Sequence, residues 1–114
     1  MHACKPNVNG VLSEGLHEVV ARRNRAYAAI NLALCEDGLY RMSVEMQYGH
    51  GGFSGPIRID DEGYVTLDAA RAAGLEELLR RWHKPFQSEP QSVHDELANL
   101  REQIEARLRQ PSLF

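Results

Sequence analysis

Residues 40–48 alternate strictly: Tyr40, Met42, Val44, Met46 and Tyr48 fall on one side, and Arg41, Ser43, Glu45 and Gln47 on the other. Period two held over that length predicts a half-buried strand with one wet face. The preceding run alternates as well, with Ile30, Leu32 and Leu34 set against Asn31, Ala33 and Cys35. Glu36-Asp37-Gly38 between the two runs supplies a turn whose glycine takes positive φ, so a hairpin is expected. A short third strand at Ile57–Ile59 leads into a second turn, Asp60-Asp61-Glu62-Gly63.

Helical spacing takes over after Thr66, a suitable N-cap. Leu67, Ala70, Gly74, Leu75, Leu78 and Trp82 form an apolar stripe, with Glu76/Arg80 and Glu77/Arg81 opposite as i,i+4 pairs. Gly74 lies inside the stripe, where a bare backbone lets the helix sit close on the sheet. Residues 83–91 contain Pro85 and Pro90 and read as a connector. A C-terminal helix follows over residues 92–110, opened by a Ser92/Asp95 capping box and striped by Val93, Leu97, Leu100, Ile104 and Leu108. Upstream, Ser13 precedes Leu16, Val19, Val20, Arg23 and Tyr27 at helical spacing, which predicts a first helix over Ser13–Ala26. Residues 1–12 read as a loose lead-in. The expected fold is α+β with element order α-β-β-β-α-α: a three-stranded antiparallel meander packed against helices. It forms a single domain over residues 1–114, with an α-β-β-β-α core at 13–82.

Composition narrows the function classes. A chain of 114 residues sustains one core without staples. Its net charge of −3 lacks the basic excess of a dedicated nucleic-acid binder. No apolar run approaches the ~20 residues that span a bilayer, and the N-terminus lacks the apolar stretch of a signal peptide. Two cysteines, Cys4 and Cys35, are too few for a disulfide framework. A cytoplasmic protein without membrane contact is expected.

Little points to catalysis. His2, His17, His50, His83 and His94 form no metal-binding array, and neither cysteine belongs to a Cys-x-x-Cys pair, so no metal and no cofactor are expected. Cys35 adjoins Glu36 and Asp37, whose charges disfavour a thiolate. The glycine-rich stretch 49–56 has no P-loop spacing and no following helix. It reads as a mobile connection, an anion cradle, or a protein-contact loop presenting Tyr48, His50 and Phe53. Arg22, Arg23 and Arg25 form the one basic cluster, either a solvated helix end or a phosphate-backbone contact. In the C-terminal helix the stripe is narrow with charged flanks. Leu97, Leu100 and Ile104 fit a short pairing seam, so a homodimer or partner contact stands beside packing within the chain.

The element order, together with the helix Thr66-Leu-Asp-Ala-Ala-Arg-Ala-Ala-Gly-Leu-Glu-Glu-Leu-Leu, resembles the double-stranded-RNA-binding domain over residues 13–82. That resemblance implies an α-β-β-β-α fold that grips RNA through lysines opening the last helix. Here those positions hold Leu67 and Asp68. The stretch from Ile30 through Gly38, Tyr40, the glycine-rich loop and Pro56 to the alanine-rich helix resembles small accessory proteins of phages and plasmids. Some of these, the anti-CRISPR inhibitors, block a host effector complex. The expected function is thus a non-enzymatic protein-interaction module, an inhibitor of a nucleic-acid-handling complex with a basic surface. The alternative is a nucleic-acid-binding accessory protein using the arginine cluster and the glycine-rich loop.

Overall fold

A computed structural model describes residues 15–49, 51–82 and 84–110, and the backbone of residues 3–4 and 11–12. Its elements run β1 (Ala3–Cys4), β2 (Val11–Leu12), β3 (Leu16–Arg23), β4 (Ala26–Cys35), β5 (Tyr40–Tyr48), β6 (Gly51–Phe53), β7 (Ile57–Arg58), α1 (Leu67–Arg80) and α2 (Gln91–Arg109). The α+β class holds. Strands β3 to β6 form an antiparallel meander, β1 adds a two-residue parallel pairing beyond the end of β3, and β2 pairs with β7 separately.

The first predicted helix is instead strand β3. Its register against β4 shifts between Val19 and Ala21, the mark of a β-bulge, so Val20 and Ala21 are both buried. The extra residue breaks the alternation, and Leu16, Val19, Val20 and Arg23 then imitate helical spacing. Arg23 pairs with Ala26 across a two-residue turn in which Asn24 takes φ 55°, a conformation asparagine tolerates better than most residues. The third strand also differs. The segment laid on β5 is Gly51–Phe53, inside the glycine-rich stretch, whereas Ile57–Arg58 pairs with Val11–Leu12. The meander therefore has four strands rather than three.

Both helices cover one face of this sheet. Ala28, Ile30, Leu32, Val44 and Met46 point inward against Ala70, Leu75 and Leu78 of α1 and Val93, Leu97, Leu100 and Ile104 of α2, in one core. A Cβ on Gly74 would lie 2.8 Å from Ile30 Cγ2, so glycine there sets the close helix–sheet approach. Thr66 caps α1 by accepting the Ala69 N–H at 3.0 Å. No side chain caps α2: Pro90 stands at its N-cap, and Asp95 accepts from Gln91 rather than boxing Ser92. Among the described residues no helix is long and apolar enough to cross a membrane.

The flanks of α2 explain its narrow stripe. Gln103 Nε2 donates to Arg22 O at 3.0 Å and its Oε1 accepts from Arg22 N at 3.0 Å, while Arg107 Nε donates to Val20 O at 2.7 Å. These are outward-facing backbone groups of β3. The helix thus buries its stripe in the core and covers the Val20–Arg22 part of that sheet edge with its polar flank.

Candidate functional site

The two acidic turns meet at one end of the sheet. Tyr40 and Tyr64 form a bridge in which each N–H donates to the other's carbonyl at 2.7 Å, bringing the loop 59–63 alongside the β4–β5 turn. Arg41 then ties the two together. Its guanidinium makes a bidentate contact to the Asp37 carboxylate, 3.0 and 2.9 Å, while Nε donates to Asp61 O at 2.9 Å. Arg41 is 7% exposed, the one charged residue in the core among those described, and its burial is sustainable only because the fork is satisfied. The Arg41 contact, followed by the Leu39 N–H, holds the Asp37 carboxyl below its ordinary range.

Glu36, Asp37, Asp60, Asp61 and Glu62 are all exposed there. The arginines among them, Arg41 and Arg58, are both engaged, Arg58 donating to Asp60 Oδ1 at 3.3 Å and through its backbone to Asp61 Oδ2 at 3.1 Å. Among the described residues, five carboxylates stand at this end beside two arginines, and Glu36 is itself engaged.

The sheet face away from the helices carries a second feature, a fastened polar network. His17 Nδ1 lies 2.7 Å from Asn31 Oδ1 and 3.2 Å from Glu45 Oε1. Tyr27 donates its hydroxyl to Glu45 Oε2 at 2.9 Å, and Asn31 Nδ2 donates to Ser43 Oγ and Glu45 Oε1, both at 3.3 Å. The hydrogen bond to Glu45 raises the Tyr27 hydroxyl above its ordinary pKa. Glu45 is thus committed on both oxygens. The adjoining groove, about 550 Å³ between Tyr27, Glu45 and Gln47 and the backbone of β6, is open and polar. Such a network orders this face of the sheet.

The residues singled out in the sequence fall elsewhere. Tyr48 packs in the core at 8% exposed, because period two along β5 turns it inward with Val44 and Met46. Phe53 is half-buried under the Arg81 guanidinium, 4.5 Å from its ring centre. His50 lies outside the described residues. A Cβ on Gly52 would fall on the Met46 carbonyl, so this glycine serves strand pairing, and the Gly49 N–H donates to the chain's own Glu96 Oε1 at 3.2 Å. Leu97, Leu100 and Ile104 are buried against the sheet and α1, so packing within the chain occupies the seam proposed for a homodimer. The arginine cluster is split, since neighbours on a strand face opposite ways. Arg22 lies over the Tyr27 ring on the open face, Arg23 reaches Asp95 O at 3.1 Å, and Arg25 sits in the turn.

Among the described residues no group of three or more His, Cys, Asp or Glu side chains is placed to hold a metal. Cys35 is buried and free, with Cys4 its register partner in the β1–β4 ladder. The acidic end was hidden in the sequence because Asp37 and Asp61 come together only through the Tyr40–Tyr64 bridge. The polar network was hidden because His17 was assigned to a helix. Neither a family model, nor a curated protein, nor a solved structure matches the chain.

Proposed function

We propose that this chain is a non-enzymatic interaction module that docks its acidic end on the basic surface of a nucleic-acid-handling complex, the mode of inhibitors carried by mobile elements. The gathering of five carboxylates from two turns at one end of the sheet supports this reading. A localised field of one sign steers association with a surface of the other and competes with a polyanion for it. Holding the carboxylates on two turns pinned by a buried arginine also lowers the ordering cost of contact. Direct nucleic-acid binding gains nothing from the geometry: the three arginines face different ways, and two of them are occupied by Tyr27 and Asp95.

The test is affinity capture from host lysate with the wild-type chain and a Glu36→Lys/Asp60→Lys/Glu62→Lys variant. Wild type should retain a nucleic-acid-handling complex, and the variant should lose it by about tenfold or more while melting as wild type does. Equal retention by both would refute an acidic contact.

A further inference from the structure

Strand β1 is held to the sheet by very little. Its two residues, Ala3 and Cys4, pair in parallel with Leu34 and Cys35, past the point where β3 leaves β4 at Leu32. Parallel pairing is the weaker kind per residue, and two residues fall well below the usual strand length of ~5. So short a ladder fastens a segment poorly on its own. Its register, however, sets the chain's two cysteines directly opposite each other.

Register partners on neighbouring strands share a face of the sheet. They stand about 4.8 Å apart, inside the ~4.4–6.8 Å between Cα atoms that a disulfide spans. A slip of one residue would put the two on opposite faces. The surroundings of Cys35 add to this placement. It is 1% exposed, in a small cluster with Ala33, Ile57 and Ile59, and its thiol makes one long contact, to Ala33 O at 4.0 Å. The neighbouring Asp37 carboxylate is taken up by the Arg41 fork at 3.0 and 2.9 Å. Asp37 first, and then the Cys35 thiol, raise the Arg41 guanidinium above its ordinary pKa, so a fixed cation stands beside the sulfur. A cation in that position assists thiol–disulfide exchange, in which thiolates attack and leave.

We propose that Cys4 and Cys35 are a redox pair, closing to a cross-strand disulfide that clamps β1 to the end of β4 immediately before the acidic turn. The oxidant is a low-molecular-weight disulfide. Cys35 is too buried to meet it first, so the Cys4 thiolate attacks one of its sulfurs and releases one small thiol. The Cys35 thiolate then attacks the Cys4 sulfur of the mixed disulfide and releases the second. The two protein thiols lose two protons and two electrons, and the oxidant becomes two thiols. Excess small thiol reverses both steps, so the clamp is open in a reducing compartment and closed in an oxidising one. The clamp goes beyond docking on a basic surface, and neither reading needs the other.

The probe is oxidised glutathione, added to the folded chain and followed by intact mass and peptide mapping. The expected product is a monomer lighter by two hydrogens, with the peptides of Cys4 and Cys35 joined. Closing a loop of about thirty residues should raise the melting temperature by about 5 °C or more, and dithiothreitol should reverse the rise. Amide exchange at Leu34 and Cys35 should slow on oxidation. Cys4→Ser leaves the buried cysteine in place; in the same buffer it should keep Cys35 reduced and show neither change. Glutathione retained on Cys4 with Cys35 still free would overturn the clamp, as would a disulfide-linked dimer or a chain that stays reduced. So would closure that occurs only after unfolding in guanidinium chloride, or an internal bond that leaves the melting temperature where it was.

Discussion

Along the β3 edge, α2 lends Gln103 and Arg107 to Arg22 and Val20, so the end of the outer strand nearest its turn has outward backbone groups bonded by side chains. Along the β5 edge the chain touches down at Tyr64 and again at β6, and between them Val44 is buried at 2% exposed. The two edges of the same sheet are thus covered differently, by side chains of α2 on one and by backbone pairing on the other, and the second borders the acidic end. The difference assigns α2 to stability and leaves the acidic end as the place where recognition is proposed.

The largest way to break that division is through the core under α2. Leu100 is fully buried, and Leu100→Ala should cost about 3 kcal/mol in chemical denaturation, from lost transfer energy and the cavity left behind. A variant as stable as wild type would mean that α2 does not hold the sheet. Next comes the pin of the acidic end. Arg41→Met keeps much of the side chain's bulk but releases the Asp37 carboxylate and the Asp61 carbonyl; a loss of about 2 kcal/mol is expected. Partner capture should weaken as well, since the two turns are no longer fixed together. Smaller again is Gln103→Ala, which strips both side-chain bonds from Arg22 and should cost about 1 kcal/mol. Amide exchange should then quicken at Arg22 and remain unchanged at Val44.

How far this division was legible in the sequence depended on whether local pattern and tertiary use agreed. Strand β5 has the predicted bounds because its alternation is uninterrupted and its turn chemistry explicit. Helix α1 begins where Thr66 announces it, and Gly74 does what its place in the stripe implied. Strand β3 was illegible because its bulge replaced period two by a false helical period, and β6 because glycines carry no side-chain pattern. The narrow stripe of α2 was visible, but its polar flank acquires meaning only beside β3, far away in sequence. The acidic end depends likewise on a single long-range bridge between Tyr40 and Tyr64.

The smallest effect is in the pH dependence of folding. Glu18 is held below its ordinary carboxyl pKa, chiefly by the Arg71 hydrogen bonds at 2.8 and 2.7 Å. A depressed folded-state value stabilises the fold above the unfolded-state pKa, and that contribution is lost as pH falls through the folded-state value. Stability should therefore decline on acidification below the ordinary carboxylate range. Glu18→Gln should shallow that decline slightly, because the partly exposed pair is screened by solvent. An unaltered acid limb would show that the Glu18–Arg71 pair contributes nothing to it.

The most direct measurement of the central claim is displacement of labelled nucleic acid from the captured complex by the purified chain, titrated at about 50 and 300 mM salt. Wild type should displace the nucleic acid, more weakly at the higher salt, and the Glu36→Lys/Asp60→Lys/Glu62→Lys variant should need at least about tenfold more protein. Displacement that is indifferent to both salt and charge reversal would contradict a contact made by the acidic end.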